Sequence, residues 1–202
     1  ANREAAPEDF HPQVERCLEI LGRIGVPVIG VEGVEADDVI ATVVRRMRAE
    51  HPGTRVRIVS RDKDLTQLVG DGVEMFDAMK NEVVTPDALF KTEGVEPRHV
   101  RDVLALMGDS VDNVPGVPGI GPKKAAKLIL EHGSVEALLE RADEIRGKQG
   151  ENLRAHAEQI PVAKQLVTLK DDVALDFDLE DCRVDLASMD AAGLEALFRT
   201  LS

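Results

Sequence analysis

Seven carboxylates stand at three places in the chain where strands or loops are expected to end. Three crowd into residues 35–38, two follow the apolar run at 56–59, and two lie in a loop rich in glycine and proline. They are Glu35, Asp37 and Asp38, then Asp62 and Asp64, then Asp109 and Asp112. Two carboxylates about 4 Å apart repel each other by roughly 4 kcal/mol at an intermediate effective dielectric, so a cluster needs a counter-charge. Because carboxylate oxygens suit hard divalent cations, we expect a metal site with oxygen ligands.

Some of these acids have an ordinary explanation. The chain is 31% charged and holds 38 Asp and Glu residues, most of which belong to a solvated surface. Asp37 and Asp38 stand where a helix opens, and the helix dipole alone stabilises an acid there by about 0.3–1 kcal/mol. The recurrence of acids at the carboxyl ends of two predicted strands favours a site, because open α/β sheets bind ligands at that edge.

Length and composition indicate a folded chain of one or two domains. With 202 residues and 43% hydrophobic content, it can bury a sizeable core. No run approaches the roughly 18 apolar residues of a membrane span, and no signal peptide is recognisable, so we expect a cytoplasmic location and no membrane partner. Two cysteines are too few for a thiolate metal site. Cys17 falls on the apolar face of its predicted helix and is therefore expected in the core.

The charge balance argues against a broad, non-specific grip on nucleic acid. The formal net charge is -13, whereas surfaces that bind nucleic acid are usually basic. Divalent ions on the acids would return positive charge where a phosphate must sit, which weakens this objection. The chain has no Trp or Tyr, so contacts to phosphates rather than stacking on bases would have to dominate.

The first part of the chain predicts strand, helix and strand in succession. Apolar residues at helical spacing predict a helix over 7–24, and the short apolar run at 26–31 predicts a strand. A helix opens at Asp38, and a second strand follows at 55–60. This succession indicates a right-handed crossover in a parallel sheet and places the chain in the α/β class.

The rest of the chain predicts mostly helix. Two extended segments, 72–77 and 82–85, end at Thr85, which is expected to cap a helix that has Pro86 at its first position. Further helices are predicted over residues 97–107, 134–142, 151–166 and 190–201.

A loop rich in glycine and proline, residues 108–122, leads into a helix that carries lysines. A glycine turn before a helix N-terminus presents backbone N–H groups to an anion. An ordinary turn between helices would use the same glycines, but the adjoining lysines favour a site for the phosphate backbone of DNA. The residues of this expected site are Gly119, Gly121, Lys123, Lys124 and Lys127.

Together these features form three ordered motifs. They are Val34-Glu35-Ala36-Asp37-Asp38; Arg61-Asp62-Lys63-Asp64-Leu65 with Gln67-Leu68; and Gly108-Asp109-Ser110-Val111-Asp112-Asn113 leading into Pro115-Gly116-Val117-Pro118-Gly119-Ile120-Gly121. In this order and at these spacings the chain resembles the 5′-nuclease family, the 5′→3′ exonuclease and flap endonuclease domain at the N-terminus of bacterial DNA polymerase I. The resemblance runs nearly from end to end.

The resemblance implies an α/β fold with a mostly parallel sheet flanked by helices, of the PIN-like 5′-nuclease type and incomplete at its N-terminus. It also implies a C-terminal helical module with a helix-two-turn-helix (helix-hairpin-helix) element that follows duplex DNA. On this basis we place the metal-carboxylate nuclease core at residues 1–95 and the helical module at residues 96–202.

The activity implied by the resemblance is phosphodiester hydrolysis assisted by two divalent ions, Mg²⁺ or Mn²⁺. Glu35, Asp37 and Asp38 look like ligands of the first metal, and Asp62 and Asp64 like acids that lie between the ions; these five form the expected catalytic set. Asp109 and Asp112 look like ligands of the second metal. A K⁺ site of main-chain carbonyls is also implied, at Leu106, Met107, Pro115, Val117 and Ile120.

The expected partner is DNA with a 5′-flap, a nick or a fork, and the parent chain is expected to carry a polymerase domain that acts in replication and repair. Family members begin with a strand that bears an aspartate, followed by a second aspartate and a basic helical arch. Because these segments are not in the sequence, we expect a fragment of a longer protein, with weak or no nuclease activity of its own.

Two alternatives remain open at this point. The segment from Ile58 to Thr66 also fits the strand-D-x-D-x-T motif of haloacid-dehalogenase-like phosphatases, in which Asp62 would be a covalent nucleophile. Against this, Glu35, Asp37 and Asp38 would then have no role. The other alternative is a non-catalytic module that binds DNA junctions.

Overall fold

The computed structural model describes residues 6–201, which form two compact units. One unit combines the described residues of 1–34 with those of 174–202, and the other is Glu35–Val173. All the expected metal-binding and DNA-binding residues belong to the second unit. The outer ends of the two expected domains, residues 1–5 and Ser202, lie outside the described residues.

The elements of the described chain are named in order of sequence. The helices are α1 Phe10–Ile24, α2 Ala36–Glu50, α3 Pro86–Glu93, α4 Val100–Met107, α5 Pro122–His132, α6 Val135–Glu140, α7 Gly147–Ala155, α8 Gln159–Val167 and α9 Ala191–Leu201. The strands are β1 Val56–Val59, β2 Val73–Asp77 and β3 Glu82–Val84. No helix within residues 6–201 combines the length and the hydrophobicity needed to cross a bilayer.

The strands of the second unit form a mixed sheet. β1 pairs in parallel with β2, and β2 pairs antiparallel with β3 across a hairpin. Ile58 lies opposite Met75 in the parallel pair, and both side chains are buried with Val44 of α2. Burial of each such side chain stabilises the fold by roughly 1.5–3 kcal/mol. This small core fixes where β1 ends, and therefore where Asp62 and Asp64 begin.

A larger core joins helices α3 to α8. Its fully buried side chains include Leu106 of α4, Ile129 of α5, Leu138 of α6 and Leu153 of α7. The helix that Thr85 was expected to cap is α3, and Thr85 Oγ1 accepts a hydrogen bond from the Ala88 amide at 3.2 Å. The helical core holds both ends of the glycine-rich loop that links α4 to α5.

A network of ion pairs around the buried carboxylate of Asp102 lies at the edge of this core. Lys164 Nζ of α8 is 2.7 Å from Asp102 Oδ1 of α4 and 2.9 Å from Glu136 Oε1 of α6. Asp102 Oδ1 also accepts a hydrogen bond from the Val135 amide at 3.1 Å. These bonds satisfy a carboxylate that is 4% exposed and link three helices.

The expected α/β class with a helical C-terminal part is confirmed, but the strand expected at residues 26–31 is wrong. These residues form no ladder in the described structure, and Val28 is 58% exposed. A lone extended segment cannot pair its backbone groups, and Pro27 lacks an N–H donor. The described sheet is accordingly mixed, with one parallel and one antiparallel pairing.

Two helical expectations also need correction. The helix expected over 151–166 is divided between α7 and α8, because Pro161 has no N–H and its ring clashes with a continuing helix. None of the described residues of α1 is fully buried, and Cys17, expected in a core, is exposed. In the same unit, Arg23 of α1 donates a hydrogen bond to Asp190 Oδ2 at 2.7 Å.

Candidate metal centre

The turn that follows β1 presents two of the expected carboxylates. The Asp62 amide donates a hydrogen bond to Ser60 Oγ at 3.0 Å, and the Asp64 amide donates one to Asp62 Oδ1 at 3.0 Å. The buried Leu65 anchors the far side of the turn. One oxygen of the exposed Asp62 therefore holds the turn together, whereas Asp64 is half-buried and directs its carboxylate inward.

The loop that follows α4 presents two more carboxylates. Asp109 Oδ1 accepts hydrogen bonds from the amides of Val111 and Asp112, at 2.7 and 3.4 Å. The backbones of Asp109 and Val114 exchange two further hydrogen bonds, of 2.9 and 2.7 Å. These contacts close the segment into a small ring and hold the buried Asp109 and the exposed Asp112 in fixed positions.

A contact between two glycine backbones closes the base of this loop. An ideal Cβ on Gly116 would stand 2.2 Å from the Met107 carbonyl oxygen, and one on Gly108 would stand 2.4 Å from the Gly116 nitrogen. Gly108 also has a φ of +72°, in the region that L side chains rarely adopt. The crossing of the two chain segments therefore requires glycine on both sides.

The turn and the loop bring three carboxylates together. Oxygen atoms of Asp64, Asp109 and Asp112 all lie within 4.8 Å of one another. Burial raises the pKa of Asp64 from 3.8 to about 6, and the charge of Asp62 adds to this rise. Asp109 and Asp112 act in the same direction, whereas the cation of Lys63 opposes them. The raised pKa of Asp64 therefore reflects its burial first and the neighbouring negative charges second.

An oxygen in this cluster lacks a partner. Asp64 Oδ1 is buried and accepts no hydrogen bond from any of the described residues. An unpaired buried acceptor costs roughly 1–3 kcal/mol, and more when it is charged. A bound cation would supply the missing partner, and a donor set of carboxylate oxygens suits Mg²⁺ or Mn²⁺. The residues present thus fit a divalent ion.

Lys63 supplies positive charge to the same cluster. Its Nζ lies 2.5 Å from Asp109 Oδ2, and this hydrogen bond raises the pKa of Lys63 and lowers the pKa of Asp109. The Asp109 side chain is only 6% exposed, whereas the Lys63 side chain is 51% exposed. No functional role for this lysine was expected from the sequence, although it stands between two acids in the D-K-D motif.

The acids at the start of α2 approach the cluster to different degrees. Partial burial raises the pKa of Asp37. The negative charges of nearby acids add to this rise; these acids are Asp62, Glu35, Asp38 and Asp112. Because Asp62 belongs to the turn after β1 and Asp112 to the loop after α4, Asp37 interacts electrostatically with both.

Glu35 and Asp38 differ from Asp37 in their surroundings. Glu35 is exposed at the N-cap of α2, with no capping bond from its side chain. Asp38 Oδ1 accepts a hydrogen bond from the Lys170 amide at 2.8 Å, so one of its oxygens already holds a distant segment of backbone. Of the three acids of the first motif, Asp37 is therefore the best placed to face the other carboxylates.

The glycine turn before α5 lies at the other end of the glycine-rich loop. The amides of Lys124 and Ala125 both donate to the Gly121 carbonyl at 3.0 Å, which starts α5, and within the turn itself the Ile120 amide donates to the Val117 carbonyl at 3.0 Å. Lys124 Nζ donates a hydrogen bond to the Gly119 carbonyl at 2.9 Å and so braces the turn. Lys123 is exposed at the second position of α5.

Lys127 and the expected K⁺ ligands are also partly engaged. Lys127 Nζ lies 3.7 Å from Glu131 Oε1, one turn along α5. The Leu106 carbonyl accepts a hydrogen bond from the Val117 amide at 2.8 Å, and the Val117 carbonyl accepts one from the Ile120 amide at 3.0 Å. The K⁺ site at these carbonyls and those of Met107, Pro115 and Ile120 stays a prediction.

Two sequence profiles match consecutive parts of this chain. The profile described as the N-terminal resolvase-like domain of 5'-3' exonuclease matches residues 1–94. The profile described as the C-terminal SAM fold of 5'-3' exonuclease matches residues 95–190.

Known proteins resemble the chain in sequence and in structure. The DNA polymerase I of Rhizobium leguminosarum is 48% identical over 182 residues, which cover 89% of this chain and 18% of the polymerase. A 5'-3' exonuclease of Aquifex aeolicus is 39% identical over 182 residues, which cover 90% of this chain and 61% of that protein. The chain therefore spans about a fifth of the length of the DNA polymerases that it matches.

A solved structure provides the comparison in three dimensions. The flap endonuclease of bacteriophage T5, in a pseudo-enzyme–product complex with DNA and metal ions, matches with a TM-score of 0.69 and 26% identity. The match covers 96% of this chain and 69% of the phage protein.

Proposed function

Because the chain belongs to the 5'-3' exonuclease family, we propose that it is a metal-dependent 5′→3′ exonuclease and flap endonuclease that hydrolyses DNA phosphodiesters as part of a DNA polymerase I. The observation that carries this proposal is the carboxylate cluster of Asp64, Asp109 and Asp112, in which a buried oxygen has no hydrogen-bond partner among the described residues. The similarity to a flap endonuclease whose structure holds DNA and metal ions supports it.

The acidic residues have distinct roles in this proposal. Asp109 and Asp112 would hold one ion, Asp37 and Glu35 the other, and Asp64, which lies beside Asp109 and Asp112, would act between the two ions. Asp38 and Asp62 each use one oxygen on a backbone amide, and this orients their remaining oxygens. When bound, two divalent ions supply Lewis-acid activation of water and charge stabilisation of the leaving oxygen.

The glycine turn would position the duplex. Lys123 and the backbone of Gly119 and Gly121 are exposed and can contact phosphates without reading bases. Lys124 braces the turn, and Lys127 adds charge along α5. The same loop carries Asp109 and Asp112, so a duplex bound at the turn is connected to the carboxylates by a short, closed segment.

The remaining features of the proposal concern the whole protein. A division near residue 95 is supported by the two family profiles that meet there. A polymerase domain in the parent chain and a cytoplasmic location are supported by the DNA polymerases among the relatives. A K⁺ ion at the loop carbonyls is part of the same proposal.

The phosphatase alternative is set aside. Consecutive profiles of the exonuclease family account for residues 1–190. A non-catalytic junction-binding module would make the same contacts with DNA and is separated from a nuclease by experiment.

The test is Mg²⁺-dependent shortening of a 5′-labelled flap DNA, measured for the 202-residue chain and for a longer chain that includes it. We expect cleavage by the longer chain at least, and a loss of 10²-fold or more when Asp64→Asn and Asp109→Asn are combined, because the site then loses two charged ligands. Asp143→Asn, an exposed carboxylate in a separate turn, is the matched control and should cleave normally. Tight binding of the flap without cleavage by any of these chains would favour the non-catalytic module.

A further inference from the structure

We infer that Lys63 competes with one of the two divalent ions, because it holds Asp109 through the contact that a metal ion must take over. The inference rests on the proposed metal-dependent function. It adds a positioning residue that sets the affinity of the site and makes the two ions unequal.

Both oxygens of Asp109 are engaged in the structure. Oδ1 accepts the amides of Val111 and Asp112, and Oδ2 accepts Lys63 Nζ at 2.5 Å. A Mg²⁺ ion needs a ligand oxygen at about 2.0–2.1 Å and tolerates little distortion, so it cannot share Oδ2 with an ammonium group along the same direction. For Asp109 to bind an ion through Oδ2 along that direction, the bond to Lys63 has to give way.

Lys63 is the partner that can leave. The two amides belong to the ring closed by Asp109 and Val114, so the removal of either would open the loop. Lys63 is half exposed and carries its charge at the end of a flexible stem, which lets the ammonium turn toward water at small cost.

There is room for the displaced side chain. Lys63 lines a cavity of about 220 Å³ whose other walls include Thr66, Leu104, Met107 and Pro122. The apolar walls can cover the methylene groups of the lysine while its ammonium group remains in solvent. The displaced lysine therefore does not need to leave the neighbourhood of the site.

The charge of Lys63 has opposite effects in the protein without metal and in the protein with metal. Without a divalent ion, Lys63 is the cation that offsets the repulsion among Asp64, Asp109 and Asp112. When a divalent ion binds, the same ammonium becomes a like charge at close range and weakens the binding. Lys63 should therefore stabilise the protein without metal and oppose the uptake of the ion nearest Asp109.

The experiment is a calorimetric titration of the 202-residue chain with Mg²⁺, with wild type compared to Lys63→Met. We expect one ion to bind about tenfold more tightly to the variant, on the scale of one charge-assisted hydrogen bond that no longer has to be broken. In EDTA the variant should melt at a lower temperature than wild type, and saturating Mg²⁺ should close this gap. A lysine with a purely structural role would lower the stability when it is replaced, but its replacement would not tighten the binding of Mg²⁺.

Two controls define the effect. Lys63→Arg keeps the charge and a donor and should bind Mg²⁺ within about twofold of wild type. Lys80→Met removes a lysine whose Nζ lies 3.9 Å from the buried Asp77, outside the cluster, and should leave Mg²⁺ binding unchanged. If Lys63→Met does not fold in EDTA, Lys63→Gln removes the charge while keeping a polar side chain, and the same tightening is expected.

The outcomes separate this inference from the proposed function. If wild type binds Mg²⁺ and the neutral variants bind it equally or more weakly, Lys63 is not a competitor, and the metal-dependent function still stands. If no variant and not even wild type binds Mg²⁺, the metal centre and the role of Lys63 fall together.

Discussion

Asp64 holds a charge that folding makes costly. In the unfolded chain this carboxyl has its ordinary pKa of 3.8, whereas in the folded protein its pKa is about 6. Between about pH 4 and 6 the folded state therefore binds more protons than the unfolded state, and stability falls as the pH rises through this window. Above about pH 6 the full cost is present, and below about pH 4 it is absent.

Replacement of Asp64 by asparagine removes this cost. In EDTA at pH 7 we expect Asp64→Asn to have a free energy of unfolding about 1 kcal/mol above that of wild type, after allowance for the partial exposure of the group. The variant should therefore melt at a higher temperature than wild type. The difference should shrink as the pH is lowered from 6 to 4, because wild type then also carries a neutral side chain. Thermal melts across this pH range provide the measurement.

The same variant should respond weakly to metal. Mg²⁺ should raise the melting temperature of wild type but much less that of Asp64→Asn, because a charged ligand is gone. Asp143→Asn serves as the control in both conditions. A variant that is no more stable than wild type in EDTA, yet keeps its response to Mg²⁺, would show that Asp64 lies outside the ion site.

For single residues, the sequence predicts which residues are candidates for the site better than it predicts their hydrogen-bond and ion-pair partners. The D-K-D motif and the later acidic loop marked Asp64, Asp109 and Asp112 as candidates, and the structure places their oxygens together. The bond from the Lys170 amide to Asp38 could not be foreseen, because no local pattern links positions so far apart in the chain. The pairing of Lys63 with Asp109 was hidden for the same reason.

Among the elements, helix α5 and the turn before it are the ones that we propose to contact DNA. Lys123 is exposed at the second position of the helix, whereas Lys124 bonds to Gly119 and Lys127 lies near Glu131. Lys123 is therefore the lysine of this group with the least engagement inside the protein, and its loss should report phosphate contact rather than folding.

We expect Lys123→Ala to reduce the slope of log affinity against log salt for duplex DNA by about 0.9, the value for one phosphate contact. The affinity should fall to a similar degree for duplexes of different sequence, since backbone contacts do not read bases. Lys148→Ala is the matched control, because this exposed lysine of α7 pairs with Glu151 on its own helix. Equal slopes for wild type and Lys123→Ala would move the DNA surface away from α5.

The success of the element predictions followed the strength of the local signal. The β2–β3 hairpin and the Thr85 cap depend on turn and capping chemistry between near neighbours, and both formed as expected. The run at 26–31 has the composition of a strand, but a strand also needs a partner strand, which composition cannot provide. The break between α7 and α8 could have been placed from Pro161 alone.

At the scale of the second unit, the glycine-rich loop joins the metal centre to the helical core. Its base depends on the close approach of Gly116 to Met107, where an added Cβ would stand 2.2 Å from a carbonyl oxygen. Because both chain segments are backbone at this point, neither can yield without shifting the ring that holds Asp109 and Asp112.

We expect Gly116→Ala to destabilise the protein by about 3 kcal/mol, at the upper end for overpacking, and to weaken Mg²⁺ binding. Urea denaturation and calorimetry would measure the two effects. Gly121→Ala is the control from the same loop, because its added Cβ would meet none of the other described residues within 4 Å and its φ is -92°. Similar stabilities for the two variants would mean that the loop adjusts freely at Gly116.

The closed loop also has a consequence for how a bond in DNA would be chosen. The carboxylates of Asp109 and Asp112 and the turn at Gly119 and Gly121, which we propose to contact phosphate, are parts of one short covalent path that is fixed at its base. In the proposed function, the distance between the bound duplex and the position of cleavage would then be constant and set by the number of residues in the loop. This fixed distance would determine which phosphodiester bond is cleaved. Related proteins should therefore differ in the residues of this loop far more often than in its length.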